Sequence, residues 1–132
     1  MDECVFCKII KGEIPSFKVW EDDNFLAILD INPNTKGMTL VLTKEHYNAD
    51  AFEMPDDIYQ KLMLAGKKVS KILKKGLGVE RVVMVMEGMG VNHAHIKLYP
   101  LYELKEGGIS TALGPKADFE ELKQLAEKLQ NS

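Results

Sequence analysis

The chain has 132 residues, 45% of them hydrophobic and 28% charged, with a formal net charge of −3. That is the composition of an ordinary soluble protein, long enough for one domain (residues 1–132) with a real core. Lysines and acids are interleaved, which argues against nucleic-acid or membrane partners, and no apolar run approaches the roughly 20 residues a transmembrane helix needs. The start, MDECVFCKIIKGE, lacks the basic head and apolar stretch of a secretory signal, and two cysteines cannot build a disulfide framework. A cytoplasmic location is the expectation.

Cys4 to Lys11 mixes apolar and basic residues and ends at Gly12, which predicts a short helix. Ser16 to Trp20 and Phe25 to Ile31 are apolar runs separated by the acidic turn Glu21 to Asn24, the pattern of an antiparallel hairpin. Asn32 to Gly37 is dense in turn formers and leads into a third strand, Met38 to Thr43. Asp56 to Lys75 predicts one long helix, capped by Asp56 or Asp57 and stopped by Gly76 and Gly78. Its apolar face runs through Ile58, Leu62, Ala65, Val69, Ile72 and Leu73, and its lysines form a solvated face.

Arg81 to Met86 is a fourth strand, apolar enough to be buried on both faces. Glu87 to Gly90 forms a tight loop. Met84, Met86 and Met89 are expected as core filler rather than as a ligand set. Ile109 to Pro115 is irregular, and Ala117 to Leu129 is an amphipathic helix through Phe119, Leu122, Leu125, Ala126 and Leu129. Five strands with short turns, one long helix and short terminal helices predict an α+β domain built on an antiparallel sheet.

The fifth strand carries the most chemistry. Val91 to Pro100 (VNHAHIKLYP) holds two of the three histidines in the chain. In an extended strand His93, His95 and Lys97 share one face, and Ala94, Ile96 and Leu98 share the other. Such a row can meet one anionic group, with a neutral imidazole as nucleophile and an ammonium beside it. It can equally be the polar face of a half-buried strand that meets water.

The opening CVFCKIIKGEIPSFKVWEDDNFLAILDINP, the strand GMTLVLTKEHY and the closing HAHIKLYP together resemble the histidine-triad (HIT) family of nucleotide-binding hydrolases and transferases. The resemblance runs from about residue 4 to 100. It implies a homodimer with a five-stranded antiparallel sheet per subunit and a purine nucleotide, or nucleotide conjugate, on the sheet surface. By position His95 corresponds to the family's central histidine, which attacks the α-phosphate to give a nucleotidyl-histidine, with His93 and Lys97 beside it. Phe6, Ile9, Ile28 and Ile31 correspond to base-pocket positions, and Asp30 to the acid that accepts from the ribose hydroxyls.

The chain departs from the family pattern in four places. Lys97 replaces the third histidine, a point charge in place of a group that shares a proton near pH 7. A sister branch with glutamine there still transfers nucleotides. Gly37-Met38 stands for a common glycine-histidine pair, and the short loop Glu87 to Val91 lacks the usual phosphate-side glutamine and serine or threonine. Met86 stands where an asparagine is expected.

Cys4-x-x-Cys7 invites three interpretations. A redox pair needs a preceding parallel strand and a βαβ setting. A structural zinc site needs two thiolates and two imidazoles, and zinc-bearing histidine-triad proteins resemble this chain in having two N-terminal cysteines, a histidine after the third strand (His46) and the first triad histidine (His93). The third possibility is two reduced thiols and a surface histidine. Function divides similarly: a nucleotide hydrolase or nucleotidyl transferase leads, a non-catalytic nucleotide-binding regulatory module is the alternative, and a zinc-stabilised interaction dimer is the third.

Overall fold

A computed structural model describes residues 4–104, 106 and 109–132. Helix α1 (Val5–Ile10) starts at Cys4, whose Sγ accepts from the Cys7 amide, and the chain turns away at Gly12 with φ +81°. Strands β1 (Lys18–Glu21) and β2 (Phe25–Leu29) form the expected hairpin. Its turn is set by Asp22, whose Oδ1 accepts from the amides of Asn24 and Phe25 at 2.8 Å. β3 (Thr39–Thr43), α2 (Asp56–Leu77), β4 (Arg81–Val85), β5 (His95–Leu101) and α3 (Phe119–Gln130) complete the order.

The sheet runs β1-β2-β3-β5-β4 with every neighbour antiparallel, so the expected α+β class holds. Strand alternation splits the core in two. Ala27, Leu29, Val41, Ile96 and Leu98 face α2 and α3, meeting Leu62, Val69, Leu73 and Leu129. Leu26, Ile28, Leu40 and Leu42 face the opposite way and are covered by Phe6 of α1. The second face carries His95 and Lys97, because the register sets His95 opposite Leu42 and Lys97 opposite Leu40. No helix among the described residues is long and apolar enough to cross a membrane.

Several expectations are corrected. Neither Asp56 nor Asp57 caps α2; the N-cap is Pro55, which makes no side-chain cap bond, and both acids lie in the first turn. Pro55 presets the extended entry (φ −56°, ψ 143°), while the acids still meet the positive end of the helix dipole. Gly76 lies inside α2 rather than ending it, at a close crossing where a Cβ would come within 2.5 Å of Leu129 Cδ2. Gly78, in the left-handed region, is the stop.

β4 is not buried on both faces. It is an edge strand paired only with β5, and Arg81 and Met84 are exposed. A run of β-formers has the same pattern at an edge as in a sheet centre, so strand order decides. The methionines divide as well: Met86 packs against the main core, whereas Met89 is 84% exposed. Phe119 begins α3 after the cap Asp118 and is half exposed, its ring against Phe17.

Candidate functional site

His95 opens β5, and its Nδ1 donates to the carbonyl oxygen of His93 at 2.6 Å. A carbonyl only accepts, so Nδ1 carries the proton and Nε2 of the neutral ring keeps its lone pair. Burial lowers the pKa of His95, partly opposed by that hydrogen bond. The ring is therefore neutral at pH 7. Phe6 packs edge-on against it at 4.9 Å and holds its orientation.

His93 lies just before β5, fully buried, and both its ring nitrogens are engaged. Nε2 donates to the Thr43 carbonyl at 2.6 Å, which leaves Nδ1 without a proton. That bare nitrogen stands 3.1 Å from His46 Nδ1, 3.3 Å from Cys4 Sγ and 3.4 Å from Cys7 Sγ. Cys7 Sγ is 3.3 Å from His46 Nδ1. The four donor atoms lie within 4.8 Å of one another. Burial, followed by the Cys4 side chain, raises the Cys7 pKa and disfavours a bare thiolate there. The four side chains can hold a metal ion. They come from three separate elements: α1, the segment after β3, and the approach to β5.

Lys97 projects from the same face as His95, and its Nζ meets Glu87 Oε1 at 2.6 Å. Glu87 reaches it because Gly88 adopts φ +66° and turns the loop beside the Ala49 carbonyl. Asn92 Oδ1 accepts from the Ala49 amide, and the Ala94 amide donates to the Tyr47 carbonyl, so the loop is fastened at both ends.

Of the expected pocket residues, Phe6 and Ile28 are buried in the second core and Ile9 packs against it. Asp30 follows β2, its Oδ1 accepting from the Asn32 amide at 2.8 Å. Ile31 stands apart from that cluster and is 41% exposed. Leu26, Leu40, Leu42 and Val91 line the same apolar group without having been singled out. Alternation along β2 and β3 was the signal that could have found the first three. Glu87 was missed as the partner of Lys97, because loop geometry decides that pair. Tyr99, two residues beyond Lys97 on the same face, was missed as well.

A HIT domain model matches residues 11–104. The chain belongs to the HIT domain family. An uncharacterised HIT-like protein of Methanocaldococcus jannaschii is 47% identical over 105 residues, covering 76% of this chain and 80% of that one. The adenosine 5′-monophosphoramidase of Saccharomyces cerevisiae is 34% identical over 139 residues, covering 98% and 84%. Among solved HIT structures, a zinc-bound histidine triad family protein from Mycobacterium smegmatis superposes with TM-score 0.77 at 27% identity, covering 98% of this chain and 92% of that one. Within the matched stretch, His93, His95 and Lys97 stand at alternate positions on β5 and its approach.

Proposed function

We propose that the protein is a hydrolase or nucleotidyl transferase acting at the α-phosphorus of a nucleotide conjugate through a covalent His95 intermediate. The observation that carries this is the His95 Nδ1 to His93 carbonyl bond, which leaves a neutral ring with its lone pair on Nε2. In the first step Nε2 forms a bond to phosphorus while the bond from phosphorus to the leaving nitrogen or oxygen breaks. The leaving group takes the electron pair and a proton from solvent. The His95 ring is then cationic, and its Nδ1 proton, still held by the His93 carbonyl, sits where that charge is stabilised. Water then attacks phosphorus as the bond from phosphorus to Nε2 breaks; Nε2 takes back its electron pair, the surplus water proton passes to solvent, and the mononucleotide leaves with His95 neutral again.

The remaining roles follow from the neighbourhood. Phe6, Ile9, Ile28 and Ile31 would hold the base, and Asp30 the ribose hydroxyls. Lys97, braced by Glu87, would set a positive charge against phosphate oxygens. Cys4, Cys7, His46 and His93 would hold zinc, which would supply a crosslink between α1, the segment after β3 and the approach to β5. Ligand bonds of about 2.0–2.3 Å put donor atoms roughly 3.3–3.8 Å apart; four of the six donor pairs stand at 3.1–3.4 Å, and all lie within 4.8 Å. His93 would then act as a metal ligand and, through its carbonyl, as a positioning group rather than as a proton carrier. A homodimer is supported by the open edge of β4 and by exposed Leu64 and Met84.

The direct test is mass spectrometry of protein mixed with adenosine phosphoramidate. Expected are a mass increase of one adenylyl group on His95 and free adenosine monophosphate. Binding of the monophosphate without adduct or turnover would replace the enzyme with the nucleotide-binding module.

A further inference from the structure

Tyr99 is 1% exposed, and its hydroxyl is the one buried side-chain polar atom among the described residues without a hydrogen-bond partner. Buried hydroxyls are nearly always partnered, because an unpaired one loses water and gains nothing. Tyr99 stands two residues beyond Lys97 on the face that carries His95, about 6–7 Å further along the strand. The charges of Lys97, Glu87 and Asp30 all act on the phenol, so it lies within electrostatic reach of all three groups. It also lines a cleft of about 440 Å³, formed where the β2–β3 turn (Asn34, Thr35) meets the end of β5 and the segment after it (Tyr102, Ile109, Ser110).

The other polar groups of that cleft already have partners. Thr35 Oγ1 donates to the Pro100 carbonyl, and the Tyr102 hydroxyl to the Lys36 carbonyl. The Asn34 amide donates to the carbonyls of Ser110 and Ala112, and Ser110 Oγ accepts from the Ala112 amide. Pro100, Leu101 and Ile109 supply hydrocarbon, and Glu103 adds a carboxylate at the rim. The cleft thus mixes hydrocarbon with polar groups that are already engaged, and the Tyr99 hydroxyl is the one polar group along it without a partner among the described residues. Burial raises the pKa of Tyr99, so the phenol is protonated at neutral pH and able to donate.

We propose that Tyr99 and this cleft form the subsite for the departing part of a nucleotide conjugate, and that this part is an uncharged amphipathic group with an acceptor oxygen that the Tyr99 hydroxyl bonds. The assignment rests on the proposed reaction at His95, since Tyr99 follows His95 and Lys97 along one face of β5.

The test compares ligands by calorimetry on a His95→Asn background, where binding is read without turnover. The probes are adenosine monophosphate, its N-butyl phosphoramidate, its N-(2-methoxyethyl) phosphoramidate and diadenosine tetraphosphate. Tyr99→Phe is expected to weaken the methoxyethyl conjugate about tenfold, the scale of one lost hydrogen bond, and to leave the monophosphate and butyl conjugate unchanged. Ser110→Trp, which fills the cleft, is expected to weaken both conjugates and spare the monophosphate. The melting temperature of Tyr99→Phe should stay level or rise, because an unpartnered buried hydroxyl is removed. Equal losses for all ligands, no loss for any, or Tyr99-dependent preference for the tetraphosphate would overturn the assignment. Since these are binding measurements, absence of turnover in the wild-type protein would refute the reaction at His95 without producing any of those three results.

Discussion

The peptide carbonyl of His93 holds the imidazole of His95 at 2.6 Å, while the His93 side chain points its bare Nδ1 into the Cys4, Cys7 and His46 cluster. One residue therefore ties the metal-competent cluster to the ring proposed as nucleophile. Whatever fixes the His93 side chain also fixes the carbonyl that sets the His95 tautomer.

His95→Ala should lower turnover of adenosine phosphoramidate by at least about 10³-fold, because the bond-forming atom is gone. Affinity for adenosine monophosphate should change by less than about threefold, since the proposed base and ribose positions are untouched. Single-turnover kinetics and calorimetry read the two quantities separately. A variant that keeps more than a tenth of the wild-type rate would remove His95 from the reaction.

Protein purified without chelator should carry about one zinc per chain by metal analysis. Cys7→Ser, or exhaustive chelation, should remove it and lower the melting temperature on the order of 10 °C, because three elements lose their common tie. Metal-free protein with an unaltered melting curve would leave the cysteines as ordinary buried thiols.

Lys97→Ala should slow turnover by about 10- to 100-fold, the scale of one charge withdrawn from a developing oxyanion. Lys97→His should retain or raise activity. Glu87→Gln should cost less than Lys97→Ala, and the double variant Glu87→Gln, Lys97→Ala should match Lys97→Ala alone, since Glu87 acts through the lysine it braces. Fully additive losses in the double-mutant cycle would mean that Glu87 has a separate role.

Gly88→Ala should destabilise the fold by about 1–2 kcal/mol, the cost of a left-handed backbone for a residue with Cβ. The added carbon would also sit 2.7 Å from the Ala49 carbonyl oxygen. Gly90→Ala is the control, with open space around it and no positive φ. Denaturant melts of the two variants should diverge; matching melts would show that the Gly88 turn does not depend on its conformation.

Sedimentation at micromolar concentration should show a dimer, and Val83→Lys, which sets a charge on the open strand, should shift it toward monomer. A wild-type monomer at that concentration excludes the symmetric pair.

The face shared by His95 and Lys97 was legible because the period of two in a strand survives in sequence, as did the opposite row of Ile96 and Leu98. The four-donor cluster was legible only through resemblance: nothing local to Cys4 or His46 says that α1 folds back onto the approach to β5. Edge and centre were not legible for β4, since the same β-branched run suits both and strand order is a property of the whole chain. The start of α2 misled because two acids behind a proline look like caps, whereas Pro55 already sets the entering backbone. Glu87 and Tyr99 stayed hidden for one reason. Each matters through what it meets, or fails to meet, across the fold.

The segment after β5 crosses the β2–β3 turn, with the Ala117 amide on the Ile31 carbonyl and the Gly114 amide on the Asn32 carbonyl. It passes so near the Pro33 carbonyl that any side chain at 114 would collide with it. This strap lies beyond residue 104, where the family match ends, yet it clasps the turn that follows Asp30. The matched stretch and the hydrogen-bonded fold thus have different borders. A chain cut back to the matched stretch would keep every residue of the His95 strand and lose the clamp on the loop after Asp30.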